Sequence, residues 1–279
     1  MKADSGAPIG VFDSGLGGLT VVREIMRNLP DERIVYFGDT ARVPYGNKSK
    51  DTIIRYARQI VHFLEEQQVK AIVVACNTAS ALALDTIEKE ISLPILGVVR
   101  PGADMAIACT RNKRVGVIAT EGTIRSGLYN RLIAQADPEM KVYTKACPLF
   151  VPLVEEGWTK DPITEEVARR YLNEILTENI DTLIMGCTHY PLLRSLLMKV
   201  AGEGVRLVNP AYETALALGR MLDEKGLRRM PEDEGVRAGE PDARYRFYAS
   251  DSVEHFMDFA GRILPYEIGE VSLIPIENY

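Results

Sequence analysis

Short apolar strands alternate with amphipathic helices along most of this sequence, and this alternation is the feature that most constrains its fold. In the first half the predicted strands are 8–12, 34–37 and 71–75, and the predicted helices are 19–28, 51–68 and 77–90. A long polar loop is predicted over 40–47. The order strand, helix, strand is typical of an α/β fold with a largely parallel sheet.

The same alternation starts again in the second half and gives the chain an internal repeat. Its predicted strands are 115–119 and 182–186, its predicted helices are 126–136 and 165–178, and a helix with Pro191 in its first turn follows residue 187. The tail, with a strand predicted over 245–248 and a helix over 252–264, is expected to return to the domain built by the start of the chain. A surface loop is predicted over 225–240. In the first half 63 residues separate Asp13 from Cys76, and in the second half 67 separate Thr120 from Cys187, each residue closing a strand. The repeat predicts two pseudo-twofold-related α/β domains with a cleft between them.

Charge and hydropathy exclude several classes of protein. The 279 residues contain 33 Lys and Arg against 39 Asp and Glu, a net charge of −6, which argues against a nucleic-acid binder. The longest apolar run, 71–76, is too short to span a membrane, and the start lacks the apolar segment of a secretory signal. We therefore expect a cytoplasmic protein whose four cysteines are free thiols.

Cys76 and Cys187 each close a predicted strand just before a predicted helix. Ligands bind outside the carboxyl ends of parallel strands, and a helix N-terminus lowers the pKa of a thiol. A lone cysteine is more often a buried core residue, but equivalent positions in two repeats favour a functional pair. Cys109 and Cys147 have no such context and are interpreted as structural.

His189 follows Cys187 by two residues, so it could be a proton partner for the thiol or a residue that caps the turn. His62 and His255 lie in amphipathic helices and are interpreted as structural or exposed. Without a Cys-x-x-Cys pair or clustered histidines, the sequence predicts no metal site. On spacing alone, Glu155 is a surface acid, as is its neighbour at 156.

The glycine-rich segment 13–18 follows the first strand. It matches neither a dinucleotide-binding fingerprint nor a Walker A loop, which disfavours nucleotide binding. Its acid and hydroxyl, Asp13 and Ser14, could instead hold an ammonium and a carboxylate, and the loop 44–47 offers backbone N–H groups. Further neutral donors are Asn77, Thr78 and Thr188. Such a polar, mostly uncharged set suits a small zwitterion.

Taken together, these motifs resemble the glutamate racemase family, part of the cofactor-independent aspartate/glutamate racemase superfamily. The matching segments are 10–18, 36–40, 44–46, 75–80, 148–157 and 186–191. The two cysteine motifs are the most specific of these, and the resemblance runs through nearly the whole chain. It implies a discontinuous first domain, 1–98 plus 208–279, a second domain, 99–207, a site between them, no cofactor and a homodimer.

The resemblance also implies a reaction, the interconversion of L- and D-glutamate that supplies D-glutamate for peptidoglycan synthesis. It implies that Cys76 and Cys187 are the acid/base thiols on opposite faces of the substrate, with Asp13 and His189 as their respective assistants. A further catalytic glutamate falls on 155 or 156, and Glu155 is preferred as the first acid after 152–154. The implied substrate contacts are Asp13, Ser14, Tyr45, Gly46, Asn77, Thr78, Thr120, Thr123, Thr188 and His189.

Two other hypotheses stay open. A racemase for aspartate or another small acid would use the same two thiols. A two-domain small-ligand-binding or thiol-sensing protein would keep the cleft and the cysteines but would not turn a substrate over.

Overall fold

Ten strands form two sheets in the computed structural model, which describes residues 4–230 and 244–279. The strands are β1 (Ile9–Asp13), β2 (Ile34–Gly38), β3 (Ala71–Val74), β4 (Ile95–Gly97), β5 (Arg114–Ala119), β6 (Lys141–Ala146), β7 (Thr182–Gly186), β8 (Arg206–Val208), β9 (Tyr245–Ala249) and β10 (Val271–Leu273). The first sheet has the order β10-β9-β2-β1-β3-β4 and the second the order β6-β5-β7-β8. Every strand pair in both sheets is parallel.

The two sheets repeat one topology. The order β2-β1-β3-β4 of the first sheet matches β6-β5-β7-β8 of the second, and β9 and β10 extend the first sheet beyond β2. The expected α/β fold with two largely parallel sheets is therefore confirmed. The C-terminal strands join the sheet built by the start of the chain.

Helices cover these sheets. They are α1 (Leu19–Asn28), α2 (Lys50–Glu66), α3 (Asn77–Leu82), α4 (Leu84–Ile87), α5 (Val99–Cys109), α6 (Glu121–Ser126), α7 (Leu128–Ala136), α8 (Phe150–Glu155), α9 (Pro162–Leu176), α10 (Arg194–Ala201), α11 (Pro210–Glu224) and α12 (Val253–Ile263). Short 3-10 helices are Thr40–Arg42, Tyr45–Asn47, Tyr190–Leu193 and Ile276–Asn278. In the ranges 4–230 and 244–279, no helix is long and apolar enough to cross a bilayer.

The central strands are apolar throughout because both of their faces are buried, as is usual in parallel sheets. In β2, Ile34 and Tyr36 pack in the cluster that holds α1 and α11. Val35 and Phe37 point the other way, into the cluster that holds α2. Alternation of side chains along the strand thus supplies both layers of core.

Several boundaries of helices and loops differ from those predicted from the sequence. The helix predicted over 77–90 is interrupted at Ala83, whose φ of −114° departs from the usual helical value of about −63°, so α3 and α4 are separate. Residues 121–126 already form a helix, and Gly127, at φ +64°, separates α6 from α7 in a conformation that glycine adopts without strain. The predicted loop 40–47 contains two 3-10 helices.

Some elements had no sequence signal that we recognised. These are β4, β6, β8, β10, α5, α8 and α11. Of the predicted surface loop 225–240, residues 225–230 follow α11 and the rest lies outside the described residues.

Candidate active site

Parallel strands bring their carboxyl ends to one edge, and here the ends of both sheets border a cavity of about 570 Å³. Lining residues that follow strands of the first sheet are Ser14, Gly15, Leu16, Val43, Pro44, Tyr45, Gly46, Asn47, Cys76, Asn77 and Thr78. Those that follow strands of the second sheet are Thr120, Glu121, Pro148, Val151, Pro152, Glu155, Cys187, Thr188 and His189. The cavity therefore joins equivalent edges of the two repeats.

Most of the predicted site residues line this cavity, and two lie behind its wall. Asp13 is fully buried, and the backbone N–H of Gly15 donates to its Oδ2 at 3.1 Å. Thr123 is also buried, with its hydroxyl 3.0 Å from that of Thr120. Glu155 lines the cavity, whereas its exposed neighbour Glu156 does not.

Cys76 is held by neutral donors at the start of α3. Its Sγ lies 3.5 Å from Ser14 Oγ and accepts a hydrogen bond from the Ala79 backbone N–H at 3.5 Å. Burial, reinforced by the carboxylate of Asp13, raises the pKa of Cys76 to about 12. The expected lowering of this thiol's pKa by a helix N-terminus is therefore wrong, because loss of solvation outweighs the bonds of a six-residue helix.

Cys187 has a different environment, in which the thiol contacts a histidine and the histidine contacts a glutamate. Cys187 Sγ lies 3.9 Å from His189 Nδ1, and His189 Nε2 lies 2.9 Å from Glu155 Oε1. The chain continues from Cys187 into the 3-10 helix Tyr190–Leu193, so the α-helix expected here begins only at Arg194.

The charges of this group favour a protonated histidine. Burial alone would lower the pKa of His189, but its hydrogen bonds to Cys187 and Glu155 outweigh burial and raise it to about 10. Burial opposes ionisation of Glu155, yet the bond to His189 leaves the pKa of this carboxyl below its usual value. On the other side of the cavity, burial raises the pKa of Asp13, although the charge of His189 opposes the change.

Among the hydrogen bonds that connect the two halves of the chain around the cavity, three are 2.9 Å or shorter. Tyr129 donates its hydroxyl to Asn77 Oδ1 at 2.9 Å. The hydroxyls of Thr78 and Thr120 lie 2.9 Å apart. Thr20 donates to the backbone carbonyl of Thr188 at 2.8 Å. These bonds fix the separation of the two strand edges and so the width of the cavity.

Comparison with known proteins adds a family to this geometry. The family model for Asp/Glu/hydantoin racemases matches residues 9–218. The chain belongs to this racemase family.

Individual relatives agree with the family model. The glutamate racemase of Geobacter metallireducens is 46% identical over 96% of this chain and 97% of its own. A Bacillus anthracis glutamate racemase (isoform RacE1) superposes with a TM-score of 0.89 and 40% identity, over 97% of this chain and 98% of that one. The glutamate racemase of Francisella tularensis, solved with D-glutamate, also gives 0.89, with 38% identity over 99% and 100%.

Like other members of the racemase family, the chain is an isomerase, and two thiols, those of Cys76 and Cys187, line its cavity. Cys109 and Cys147 are outside the cavity. Cys147 is buried after β6, where its backbone carbonyl accepts the hydroxyl of Tyr190 at 2.8 Å. Among the described residues, no group of three or more His, Cys, Asp or Glu side chains is arranged to hold a metal ion.

Sequence reasoning missed much of the cavity wall. The residues it did not single out are Gly15, Leu16, Val43, Glu121, Pro148, Val151 and Pro152. Several of them lie inside the motif segments, which was the available signal. The leucine, valines and prolines among them give the cavity apolar surface, which spacing between polar residues does not reveal.

Proposed function

We propose that this protein is a glutamate racemase that inverts the Cα of glutamate by passing a proton between two cysteines. The observation that carries the proposal is that Cys76 and Cys187, at equivalent strand ends of the two repeats, line one cavity. Glutamate as the substrate is supported by the names of the relatives, one of which was solved with D-glutamate.

Inversion requires a base on one face of Cα and an acid on the other. From D-glutamate, the Cys76 thiolate removes the Cα proton as the Cα–H bond breaks, and the Cys187 thiol delivers its own proton to the opposite face. From L-glutamate the two thiols exchange roles. Cysteine suits both roles because its unperturbed pKa of about 8.5 lies near neutral pH.

Neighbouring groups assist each thiol differently in this proposal. The imidazolium of His189, held by Glu155, stabilises a thiolate at Cys187 across the 3.9 Å contact. Ser14, 3.5 Å from Cys76, and the Ala79 N–H stabilise a thiolate there. Asp13 lies behind them as the proposed polar assistant, although its negative charge opposes that thiolate. Because the pKa of Cys76 is raised, this thiol needs a nearby positive charge to ionise, and the ammonium group of bound glutamate would supply one.

Substrate contacts complete the proposal. The buried amide and hydroxyls of Asn77, Thr78 and Thr188 face the cavity and would bind the carboxylates of glutamate. Ser14, Tyr45, Gly46, Thr120 and, from behind the wall, Thr123 complete the set. Preorganised donors in a cavity lined by proline and valine stabilise developing negative charge far better than water would.

The wider setting of the enzyme is also proposed. We place the boundaries of the first domain at 1–98 plus 208–279 and of the second at 99–207, because these ranges separate the two sheets except for Val208, the last residue of β8. The enzyme would act in the cytoplasm as a homodimer, without a cofactor, and supply D-glutamate for peptidoglycan synthesis. Light scattering measures the dimer, and activity retained after dialysis against a chelator, without pyridoxal phosphate absorbance, tests the cofactor statement.

The decisive experiment follows the optical rotation of D-glutamate and of D-aspartate with purified protein. Loss of rotation from D-glutamate, abolished by Cys76→Ser or Cys187→Ser and kept by the control Cys109→Ser, supports the proposal. Faster loss from D-aspartate would identify an aspartate racemase. Thermal stabilisation by glutamate without any loss of rotation would identify a binding protein.

A further inference from the structure

One wall of the cavity is the loop that contains Tyr45, and this wall is fastened from behind by a buried acid. Asp39 is fully buried at the end of β2 and does not line the cavity. Its Oδ2 accepts hydrogen bonds from Arg42 Nε at 2.7 Å and, in a very short contact, from the hydroxyl of Tyr45. Its Oδ1 accepts from Ser250 Oγ at 2.9 Å.

These partners connect the loop to α2 and to the segment that follows β9. Arg42 bonds Gln59 of α2 at 2.5 Å, and its guanidinium stacks 4.0 Å from the ring of Tyr56 on the same helix. Ser250 follows β9 and also accepts the backbone N–H of Ala41 at 2.9 Å. Asp39 thus accepts hydrogen bonds from Arg42, which contacts α2, from Ser250, which follows β9, and from Tyr45 in the cavity wall.

The wall that Asp39 holds packs closely against the second half of the chain. A Cβ built on Gly46 would lie 3.0 Å from the Cβ of Thr120, which belongs to the second half of the chain. A Cβ built on Gly122 would lie 2.9 Å from the carbonyl oxygen of Gly46. A small displacement of Tyr45 would therefore move Gly46 against Thr120 and Gly122, and this movement would change the shape of the cavity.

Resting on the racemase proposal, we infer that Asp39 is a positioning residue that acts through the Tyr45 hydroxyl to set the affinity for glutamate. Asp39 is separated from the thiols by the wall itself, so it takes no part in proton transfer. Burial, followed by the nearby carboxylate, holds the pKa of Tyr45 well above its usual value, so the phenol keeps the proton that it donates. Asp39 thereby governs substrate binding and leaves the chemical step nearly unchanged.

The test compares steady-state kinetics with D-glutamate for four forms of the protein. Asp39→Asn keeps the shape but removes the charge that Arg42 and Tyr45 share, so KM should rise about tenfold while kcat stays within about threefold. Tyr45→Phe keeps the ring in the wall and should raise KM similarly. Because both changes break the same hydrogen bond, from the Tyr45 hydroxyl to Asp39, the double variant should have the KM of Asp39→Asn alone.

Asp181→Asn is the matched control. This carboxylate also accepts several hydrogen bonds, from Thr110, Thr182 and the backbone of 111–112, but it lies outside the cavity, so its loss should leave KM unchanged.

Two results would overturn the inference: a fall in kcat at unchanged KM, or increases in KM that multiply in the double variant. If Asp39→Asn does not fold, an unchanged KM in Tyr45→Phe overturns it and a raised KM supports it. Wild-type protein that fails to racemise glutamate would instead reject the proposed function, which separates the two failures.

Discussion

Replacing Glu155 by glutamine tests whether Glu155 keeps His189 protonated beside Cys187. Glu155 Oε1 lies 2.9 Å from His189 Nε2, and its side chain is 32% exposed. Glutamine keeps an acceptor oxygen but loses the charge that favours the imidazolium. Because a hydrogen bond to a charged group contributes about 1.5–3 kcal/mol and one pKa unit is about 1.4 kcal/mol, the pKa of His189 should fall from about 10 to roughly 8–9.

The assay is a pH titration by NMR of protein labelled with ¹⁵N-histidine. The chain has three histidines, and the exposed His62 serves as the internal reference, because His255 interacts with the charge of Glu155. Glu156→Gln is the matched control, because this exposed neighbour does not line the cavity. An unchanged pKa of His189 in Glu155→Gln, or an equal change in Glu156→Gln, would refute the reasoning.

The same change should alter the pH dependence of stability. A pKa raised by folding means that the bound proton stabilises the folded state fully below the unfolded value, about 6.5 for histidine. In the wild type this contribution of His189 is lost as pH rises through about 10. In Glu155→Gln the contribution is smaller and its loss ends at a lower pH, which thermal unfolding between neutral and alkaline pH measures.

Two further changes probe the packing around the thiols. Gly17→Ala should lower kcat by about a hundredfold, because its Cβ would lie 2.3 Å from Thr188 Oγ1 and 2.5 Å from His189 Nδ1 and must displace them; wild-type kcat in a folded variant would contradict this. Tyr129→Phe should lower the free energy of unfolding in urea by about 1–3 kcal/mol, because the buried Asn77 Oδ1 loses its donor, and an unchanged midpoint would show that this bond contributes nothing.

The central strands could be predicted because burial on both faces leaves a continuous apolar run. β1, β3, β5 and β7 all have this character, and each was placed near its observed position. β6 escaped notice because it is only partly buried and carries a lysine at 141 and at 145. β4, β8 and β10 have three residues each, too few to show a period.

The location of the thiols was predictable, but their ionisation was not. Strand ends meet at one edge of a parallel sheet, so Cys76 and Cys187 could be assigned to one site from the repeat. The pKa of Cys76 depends on how much protein surrounds it, which its position before a helix does not reveal. Likewise, Glu155 contacts His189, 34 residues away in sequence, only because α8 packs against the 3-10 helix Tyr190–Leu193 that follows β7.

Transfer of the Cα hydrogen in D₂O tests the central claim most directly, namely that Cys76 and Cys187 act as two bases on opposite faces. The measurement is the deuterium content of both glutamate enantiomers, by mass spectrometry after chiral separation, during the first few per cent of conversion of unlabelled D-glutamate. Two bases predict an L-glutamate product that carries deuterium at Cα, because the donating thiol has exchanged with solvent, and remaining D-glutamate that keeps its hydrogen. Early deuterium in both pools, with some substrate hydrogen returned in the product, would mean one base and would contradict the account.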